Sequence, residues 1–288
     1  MSYAEISYRM LKKFSNKYAY LIEDLKNDLK QADLNYTIEE YFSMLVLTTI
    51  ILSISVFCIG GFIFFFVIRS IGIAIIGGFI LSLFISLITI IVFIIYPSQL
   101  KDTRKKKIEN NLYFAANYMS TISSSGLPPQ KIFAVIGNFS EFGEIAKISK
   151  RITRDIEIFG MNVNEAIEKV VQTSPSKKLN ELLWGMRGII VSGGDLTVYL
   201  KEKSKSLLND YRRILEEFTR SISLYLEIYI TLIMVGTVFT LVLTTIMSLL
   251  GGYIKQLQLV QMIIVTIGLP FISGVFVLLL KTISPTET

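Results

Sequence analysis

Few side chains in this sequence have the chemistry that catalysis or metal binding requires. Its 288 residues include no histidine and one cysteine, Cys58, which lies in an uncharged apolar stretch. A zinc site of His and Cys ligands, a Ser-His-Asp triad and a Cys-His pair therefore all lack members. No Gly-x-x-x-x-Gly-Lys-[Ser/Thr] phosphate loop and no Gly-x-Ser-x-Gly elbow occur. The sequence predicts no enzyme, no cofactor and no metal site.

The most specific short motifs are corners between predicted helices. They are Ser125-Gly126-Leu127-Pro128, the segment 160–167, which begins with Gly160, and Ser192-Gly193-Gly194-Asp195-Leu196. Gly126 predicts a left-handed helix end before a helix that begins with proline. Asp195 is predicted to cap the helix that follows the glycine pair. These corners therefore indicate helix geometry.

The elements around these corners predict a membrane protein. Hydrophobic residues make up 52% of the chain and the mean hydropathy is +0.55, which is too apolar for an ordinary soluble domain. Residues 43–68 and 71–96 are uncharged and long enough to span a bilayer. Pro97 is predicted to end the second of these helices. Residues 222–250 and 257–280 are predicted to be a third and a fourth span.

Glycine pairs in the first two spans predict close packing. Gly60-Gly61 and Gly77-Gly78 would let the two helix backbones approach each other. In the fourth span, Pro270 predicts a kink.

Residues 1–41 are polar with one apolar face. Apolar side chains recur at helical spacing, at Ile6, Met10, Leu11, Phe14, Tyr18, Leu21, Ile22, Leu25 and Leu29. The pattern predicts a helix that lies on the membrane or packs on the central domain.

The polar middle of the chain, residues 101–225, predicts six helices. The third is expected over residues 141–159, with Phe159 on its buried face. Asn162 and Ser174 are predicted N-caps, the second followed by Pro175 at the first helical position. The sixth helix has no glycine or proline before Gly236. It is therefore predicted to continue from the domain into the bilayer.

A basic cluster at residues 101–107 fixes the predicted orientation. It directly follows the second apolar segment, and basic residues near membrane ends stay cytoplasmic. The middle domain and both chain ends are therefore expected in the cytoplasm. The cluster also permits binding of membrane lipid or an acidic partner. The net charge of +6 is interpreted as loop topology, and no nucleic-acid partner is predicted.

The motifs and their order resemble the type II secretion system F domain family. These are polytopic inner-membrane platform proteins of type II secretion, type IV pili, Tad pili and the archaeal flagellum. A helix that ends in Gly-hydrophobic-Pro/Ser is similar to Gly126-Leu127-Pro128, and a later Ser-Gly-Gly-x-Leu break is similar to residues 192–196. Two apolar segments on each side of one such domain look like the Tad-type and archaeal members. Asp33 stands where glycine is common, and Val191 where many members have an acidic residue.

The resemblance implies an all-α, polytopic membrane protein with four transmembrane helices and a cytoplasmic antiparallel six-helix bundle, the F domain. The implied regions are a pre-membrane helix region at 1–41, a first hairpin at 42–97, the bundle at 98–221, a second hairpin at 222–281 and a tail at 282–288. The implied function is a platform in the cell membrane that couples a cytoplasmic secretion ATPase to pilin insertion. The filament would be type IV pilus-like or a secretion pseudopilus. A single F domain further implies a homodimer or a heterodimer with a paralogous F-domain protein.

The resemblance also directs attention to certain residues. The candidate contacts for the ATPase are Lys105, Lys106, Arg151 and Arg154, since exposed basic clusters steer acidic partners. A solvated basic face accounts for the same residues equally well. The corner residues that set bundle geometry are Gly126, Leu127, Pro128, Gly160, Ser192, Gly193, Gly194 and Asp195.

Two other function classes stay open. One is a membrane transporter or channel subunit, against which the absence of midplane charge in the first two spans argues. The other is an enzyme of the prepilin-peptidase type that uses Asp195. That class needs a second aspartate in the membrane, and the sequence offers none in a suitable place.

Overall fold

The computed structural model describes residues 3–22, 24–68, 71–249, 259 and 262–283. Within these residues the regular secondary structure is helical throughout, as the sequence predicts. The helices are α1 (Tyr3–Tyr18), α2 (Leu25–Gln31), α3 (Ile38–Ile68), α4 (Ile71–Ser123), α5 (Pro129–Asn138), α6 (Glu144–Glu157), α7 (Val163–Val171), α8 (Lys177–Ser192), α9 (Leu196–Leu249) and α10 (Leu269–Ile283), with short 3₁₀ turns at Ala19–Ile22 and Ser140–Phe142. The chain divides into two compact units, Met1–Lys201 and Glu202–Thr288.

Among the described residues, three helices are long and apolar enough to cross a membrane, and they cover Ile38–Phe66, Ile75–Ser123 and Leu196–Ile246. The predicted fourth span falls partly on residues 257, 258, 260 and 261, which lie outside the described residues. Its described part includes the shorter apolar helix Thr266–Leu278. A π-helical turn, Ile264–Gly268, directly precedes α10, close to the kink predicted at Pro270.

The first two membrane helices approach closely at their glycines. A Cβ atom added to Gly78 would lie 3.0 Å from the Gly61 nitrogen and 3.1 Å from the Phe57 oxygen. A side chain at position 78 would crowd this backbone contact and require the neighbouring helix to shift. The predicted close packing of α3 and α4 is therefore confirmed.

The predicted helix end at Pro97 is wrong, because α4 continues through this residue to Ser123. A proline removes the N–H that would bond the carbonyl four residues earlier, here that of Phe93. The Tyr41 hydroxyl donates to the Phe93 oxygen at 2.7 Å, and Tyr41 is buried. A side chain from α3 thus satisfies the acceptor that the proline leaves free.

The polar part of the first unit has a continuous apolar core. Its buried side chains come from α4 to α8 and the start of α9: Ile108, Leu112, Ala115, Ala116, Met119, Ile132, Phe133, Ile136, Ile145, Ile148, Ile152, Ala166, Ile167, Val170, Leu179, Leu182, Leu183, Met186 and Leu200. Most of these side chains lie on the helices that the sequence predicts for this region. The corners lie at the ends of the helices that share this core.

Two local predictions in this region are wrong. The third helix is interrupted at Gly143, whose φ of +54° is not helical, and Phe159 at its far end is 62% exposed. The cap of α8 is Ser176, not Ser174, because the Ser176 hydroxyl accepts from the Leu179 N–H at 3.2 Å. Ser174 instead accepts from the Ser176 N–H at 3.3 Å. The two serines therefore share the turn.

Candidate functional site

Two of the three predicted corners lie side by side. Gly126 and Leu127, after α4, line the same open depression as Gly193 and Gly194, after α8. The Ser123 and Thr197 hydroxyl oxygens are 3.0 Å apart, and the Thr197 hydroxyl lies 3.2 Å from the Ser123 carbonyl oxygen. The end of α4 is thereby fixed to the start of α9.

Backbone geometry explains the residue types at these corners. Gly126 and Gly193 have φ of +72° and +71°, a left-handed conformation that costs other L residues steric energy. The Gly194 N–H donates to the Ile189 oxygen at 3.1 Å and satisfies the end of α8. The Asp195 carboxylate accepts from the N–H groups of Thr197 and Val198 at 2.8 and 3.2 Å. The predicted helix cap at Asp195 is confirmed.

The depression between these corners has a volume of about 380 Å³. Its apolar lining comes from Leu127, Pro129, Ile189, Ile190 and Leu196, and the rest is glycine backbone with the hydroxyls of Ser123 and Thr197. No lining residue is ionisable, so the depression has no group for acid–base catalysis. Its shape and chemistry suit an apolar side chain of a partner.

The third corner, at Gly160, is organised by a buried carboxylate. Gly160 has φ of +65°, and the Met161 N–H donates to the Asp155 carbonyl oxygen at 3.1 Å. The Asp155 side chain is fully buried and pairs with Lys169 at 2.8 Å and Arg154 at 3.3 Å. One residue of α6 therefore holds both the corner and α7.

A second ion-pair cluster joins the pre-membrane segment to the helical domain. Arg104 of α4 is buried, and its guanidinium donates to Glu144 at 3.0 Å and to the Gln31 carbonyl at 2.8 Å. Asp33, in the turn after α2, binds Arg151 of α6 at 2.6 Å. We call Arg104, Glu144, Asp33 and Arg151 the Arg104 cluster. It fixes the turn after α2 to α4 and α6.

Two further contacts extend this connection. Asp28 of α2 pairs with Lys101 at 2.8 Å, and Lys147 reaches Glu144 at 2.6 Å. Asp33 itself has φ of +61°, which is a left-handed conformation. Glycine adopts that conformation without steric cost, which agrees with the glycine that the resemblance implies here. Aspartate keeps the turn and adds a carboxylate.

The carboxylates of these clusters are held in their charged form. Burial alone would raise the pKa of Glu144, Asp33 and Asp155. Hydrogen bonds and charges from the neighbouring Lys and Arg side chains outweigh burial, so each pKa lies below its ordinary value. All three therefore act as permanent anions near neutral pH.

The four candidate ATPase contacts lie on α4 and α6. Lys106 is exposed and Lys105 is half-buried, and neither forms an ion pair with any residue that the structure describes. Arg151 is held by Asp33 and Arg154 by Asp155. The contact role of all four stays a prediction.

Sequence analysis did not identify the Arg104 cluster. Its partners are far apart in the chain, and Arg151 and Asp33 are separated by 118 residues. In the sequence, the one indication of the cluster is the concentration of basic residues at 101–107 together with the acidic residues at 28 and 33 in the pre-membrane region. That concentration was interpreted as a topology signal.

The fold and these clusters define an all-α protein in which apolar, membrane-spanning helices continue into a helical domain with exposed corners. Residues 115–244 match the family described as "Type II secretion system (T2SS), protein F". Residues 115–244 are therefore a domain of this family, as the resemblance implied. T2SS F family proteins are non-catalytic, inner-membrane platform proteins that work with secretion ATPases and pilins.

Two archaeal proteins are similar to this chain. An uncharacterized protein of Methanocaldococcus jannaschii is 30% identical over 213 residues, which cover 73% of this chain and 34% of that protein. The flagella accessory protein J of the same organism is 23% identical over 193 residues, which cover 67% of this chain and 33% of that protein. The chain thus spans about a third of the length of these relatives. No solved structure matches.

Proposed function

We propose that this chain is a platform subunit for assembly of a type IV pilus-like filament or secretion pseudopilus. In this role it couples a cytoplasmic secretion ATPase to insertion of pilin subunits, and it catalyses no reaction itself. The observation that carries the proposal is an F domain whose first and last helices, α4 and α9, run without interruption into apolar stretches of membrane-spanning length.

The proposed arrangement has four transmembrane helices and a cytoplasmic six-helix bundle. The bundle extends over residues 98–221, between hairpins at 42–97 and 222–281, with the pre-membrane region 1–41 and the tail 282–288 on the same side. The basic residues at 101–107, next to the second apolar stretch, support this orientation. A cysteine introduced at exposed Lys106 should react with a membrane-impermeant reagent only after the cell membrane is opened. Labelling of intact cells would contradict the orientation.

The proposed mechanism is mechanical. A helix of 53 residues, such as α4, is about 80 Å long at 1.5 Å per residue, and it belongs to both the domain and the hairpin. The Arg104 cluster ties the pre-membrane turn to α4 and α6. A push on the domain would therefore move the turn, the domain and the hairpin together. Pilins would contact the membrane helices.

The most suitable ATPase contacts within this proposal are Lys105 and Lys106. Their charges are not engaged in ion pairs with described residues, whereas Arg151 and Arg154 are held by buried or half-buried carboxylates. A free charge is available to an acidic partner without loss of an internal contact. The depression between the two corners offers an apolar contact for the same partner.

The test is recovery of partners with the tagged full chain from its native membrane in mild detergent. We expect a secretion ATPase together with pilins or a second F-domain protein. The double variant Lys105→Glu/Lys106→Glu should recover much less ATPase, while Lys177→Glu, an exposed basic residue on α8, should recover the wild-type amount. Recovery of no ATPase and no pilin in several detergents would contradict the proposal. Equal ATPase recovery by both charge variants would contradict only the contact residues.

A further inference from the structure

The first helix, α1, buries small residues and leaves part of its apolar face exposed, although Leu11 and Tyr18 on the helix are half-buried. The exposed part, Ile6, Met10 and Phe14, is called the stripe. Ala4, Ser7 and Ser15 are buried, and the Ser15 hydroxyl donates to the Glu39 carbonyl at 2.6 Å. The apolar side chains of the stripe, by contrast, are exposed: Ile6 by 44%, Met10 by 73% and Phe14 by 47%. This is the reverse of what a helix packed by its apolar face would show.

The position of α1 along α3 places this stripe at the edge of the membrane. The contacts of α1 run from Glu39 to Thr48, whose hydroxyl lies 2.8 Å from the Tyr3 hydroxyl. The apolar stretch Ile38–Phe66 has 29 residues, or about 44 Å, which exceeds the ~30 Å hydrocarbon core. Glu39 and Glu40 must lie outside that core. The end of the covered part at Glu39 is therefore at headgroup level, and Thr48 lies about 14 Å further along α3.

The charges on α1 are arranged for an anionic surface. The helix carries Arg9, Lys12, Lys13 and Lys17 against a single acidic residue, Glu5. Lys13 and Lys17 follow Met10 by three and seven residues, so they lie beside the stripe. Lys12 and Lys13 form no ion pair with any described residue. The three lysines are in the half of α1 near Glu39, and Ile6 is in the half near Thr48, so polarity falls towards the membrane interior.

We propose that α1 is an interfacial membrane helix: Ile6, Met10 and Phe14 insert between lipid headgroups, and the adjacent basic side chains bind anionic lipid. Beyond Thr48, α3 also exposes apolar side chains, such as Ile50 and Ile51, which the lipid also covers. Basic amphipathic helices with a bulky apolar face bind bilayers in this way. The proposal goes beyond the platform function and does not require it.

The test places a probe on the stripe of the full chain in lipid nanodiscs. In a Cys58→Ser background, Met10→Cys and the control Asn16→Cys, on the polar side of α1, are labelled with an environment-sensitive fluorophore. The nanodiscs contain phosphatidylcholine alone or phosphatidylcholine with phosphatidylglycerol. In the anionic discs, we expect the Met10 probe to shift to the blue, to be quenched by a lipid-borne quencher, and to be several-fold less accessible to acrylamide than the Asn16 probe.

Charge variants separate lipid binding from simple burial. Lys12→Gln/Lys13→Gln/Lys17→Gln in the Met10→Cys background should remove most of the difference between anionic and neutral discs, because each basic residue near an anionic surface contributes about fivefold to binding. A Met10 probe as water-accessible as the Asn16 probe in anionic discs would overturn the proposal. A Met10 probe that is shielded from water but not quenched by the lipid-borne quencher would also overturn it. So would a probe that is shielded only when two copies share a disc, because either result would mean that protein covers the stripe. Equal shielding in both disc types would overturn the role of the basic residues.

Discussion

The paired corners and the Arg104 cluster lie in the same unit but are built on opposite principles. The corners are exposed, uncharged at the depression and shaped by local backbone geometry, with Gly126 and Gly193 at positive φ. The Arg104 cluster is charged, with Arg104 and Glu144 largely buried, and it joins segments far apart in the chain. The comparison teaches that the backbone geometry of each corner is locally encoded, whereas the attachment of the domain to the pre-membrane segment is not.

The largest effect is expected from Arg104→Met. The change removes the Arg104 donor from Glu144, whose side chain is 13% exposed, and from the Gln31 carbonyl. Loss of one member of a buried ion pair costs about 3 kcal/mol, slightly less here because Lys147 remains on Glu144. The measurement is the thermal unfolding midpoint of the full chain in one detergent. Lys106→Met, on the exposed side of the same helix, is the control and should change the midpoint little.

The double variant Arg104→Met/Glu144→Met sharpens this result. It removes both charges, so no carboxylate is left buried without its partner. We expect it to be more stable than Arg104→Met alone. A double variant that loses the sum of the two single effects would show that the two residues do not interact.

A smaller effect is expected at the corners. Gly126→Ala and Gly193→Ala each force a side chain into a left-handed conformation, at a cost of about 1–2 kcal/mol. No atom lies within 4 Å of an added Cβ at either site, so the cost is backbone strain alone. Gly188→Ala, inside α8 and equally uncrowded, should instead stabilise the chain by about 0.5–1 kcal/mol. If all three variants behave alike, the positive φ values do not determine these glycines.

Tyr41→Phe tests a case between the two principles, in which a local defect is repaired from a distance. The variant leaves the Phe93 carbonyl, four residues before Pro97, without a donor, and should cost about 1 kcal/mol. Adding Pro97→Ala restores a backbone N–H and should recover this loss. A Tyr41→Phe chain with an unchanged unfolding midpoint would contradict the repair.

The smallest effect on the unfolding midpoint is expected from mild acidification. This measurement tests the Arg104 cluster separately from the corners. Because the pKa of Glu144, Asp33 and Asp155 is lowered in the folded chain, their stabilisation is present above the ordinary values of 4.5 for Glu and 3.8 for Asp. It is lost as the pH falls through the folded pKa values, so the midpoint should decline below about pH 5. Arg104→Met should show a shallower decline, and Gly193→Ala the wild-type slope. Equal slopes in all three proteins would contradict the assignment.

The sequence alone predicted the parts of this structure that short-range rules govern. The left-handed Gly126, the caps at Asn162 and Asp195, and the unbroken helix α9 follow from residues within a few positions of each other. The side-by-side placement of two corners did not follow, because it depends on packing between α4 and α9. The Arg104 cluster did not either, since Asp33 and Arg151 are 118 residues apart.

Two errors have the same physical origin. The rule that proline ends a helix holds unless another segment supplies the missing donor, and here Tyr41 does so. Phe159 follows the apolar period of α6 but lies beyond its end, where the chain turns at Gly160. In both cases the local pattern was correct, but a residue outside the pattern determined the structure: Tyr41 at Pro97 and Gly160 after Phe159.

The contact between Tyr41 and the Phe93 carbonyl also has an evolutionary consequence. A chain that exchanged Pro97 for a residue with an N–H would close the helical bond to Phe93 and leave the tyrosine hydroxyl buried without an acceptor. If the tyrosine were lost first, the Phe93 carbonyl would be left without a donor. Each single step passes through a less stable ancestor, so positions 41 and 97 should be inherited as a pair and change together across descendants of this sequence.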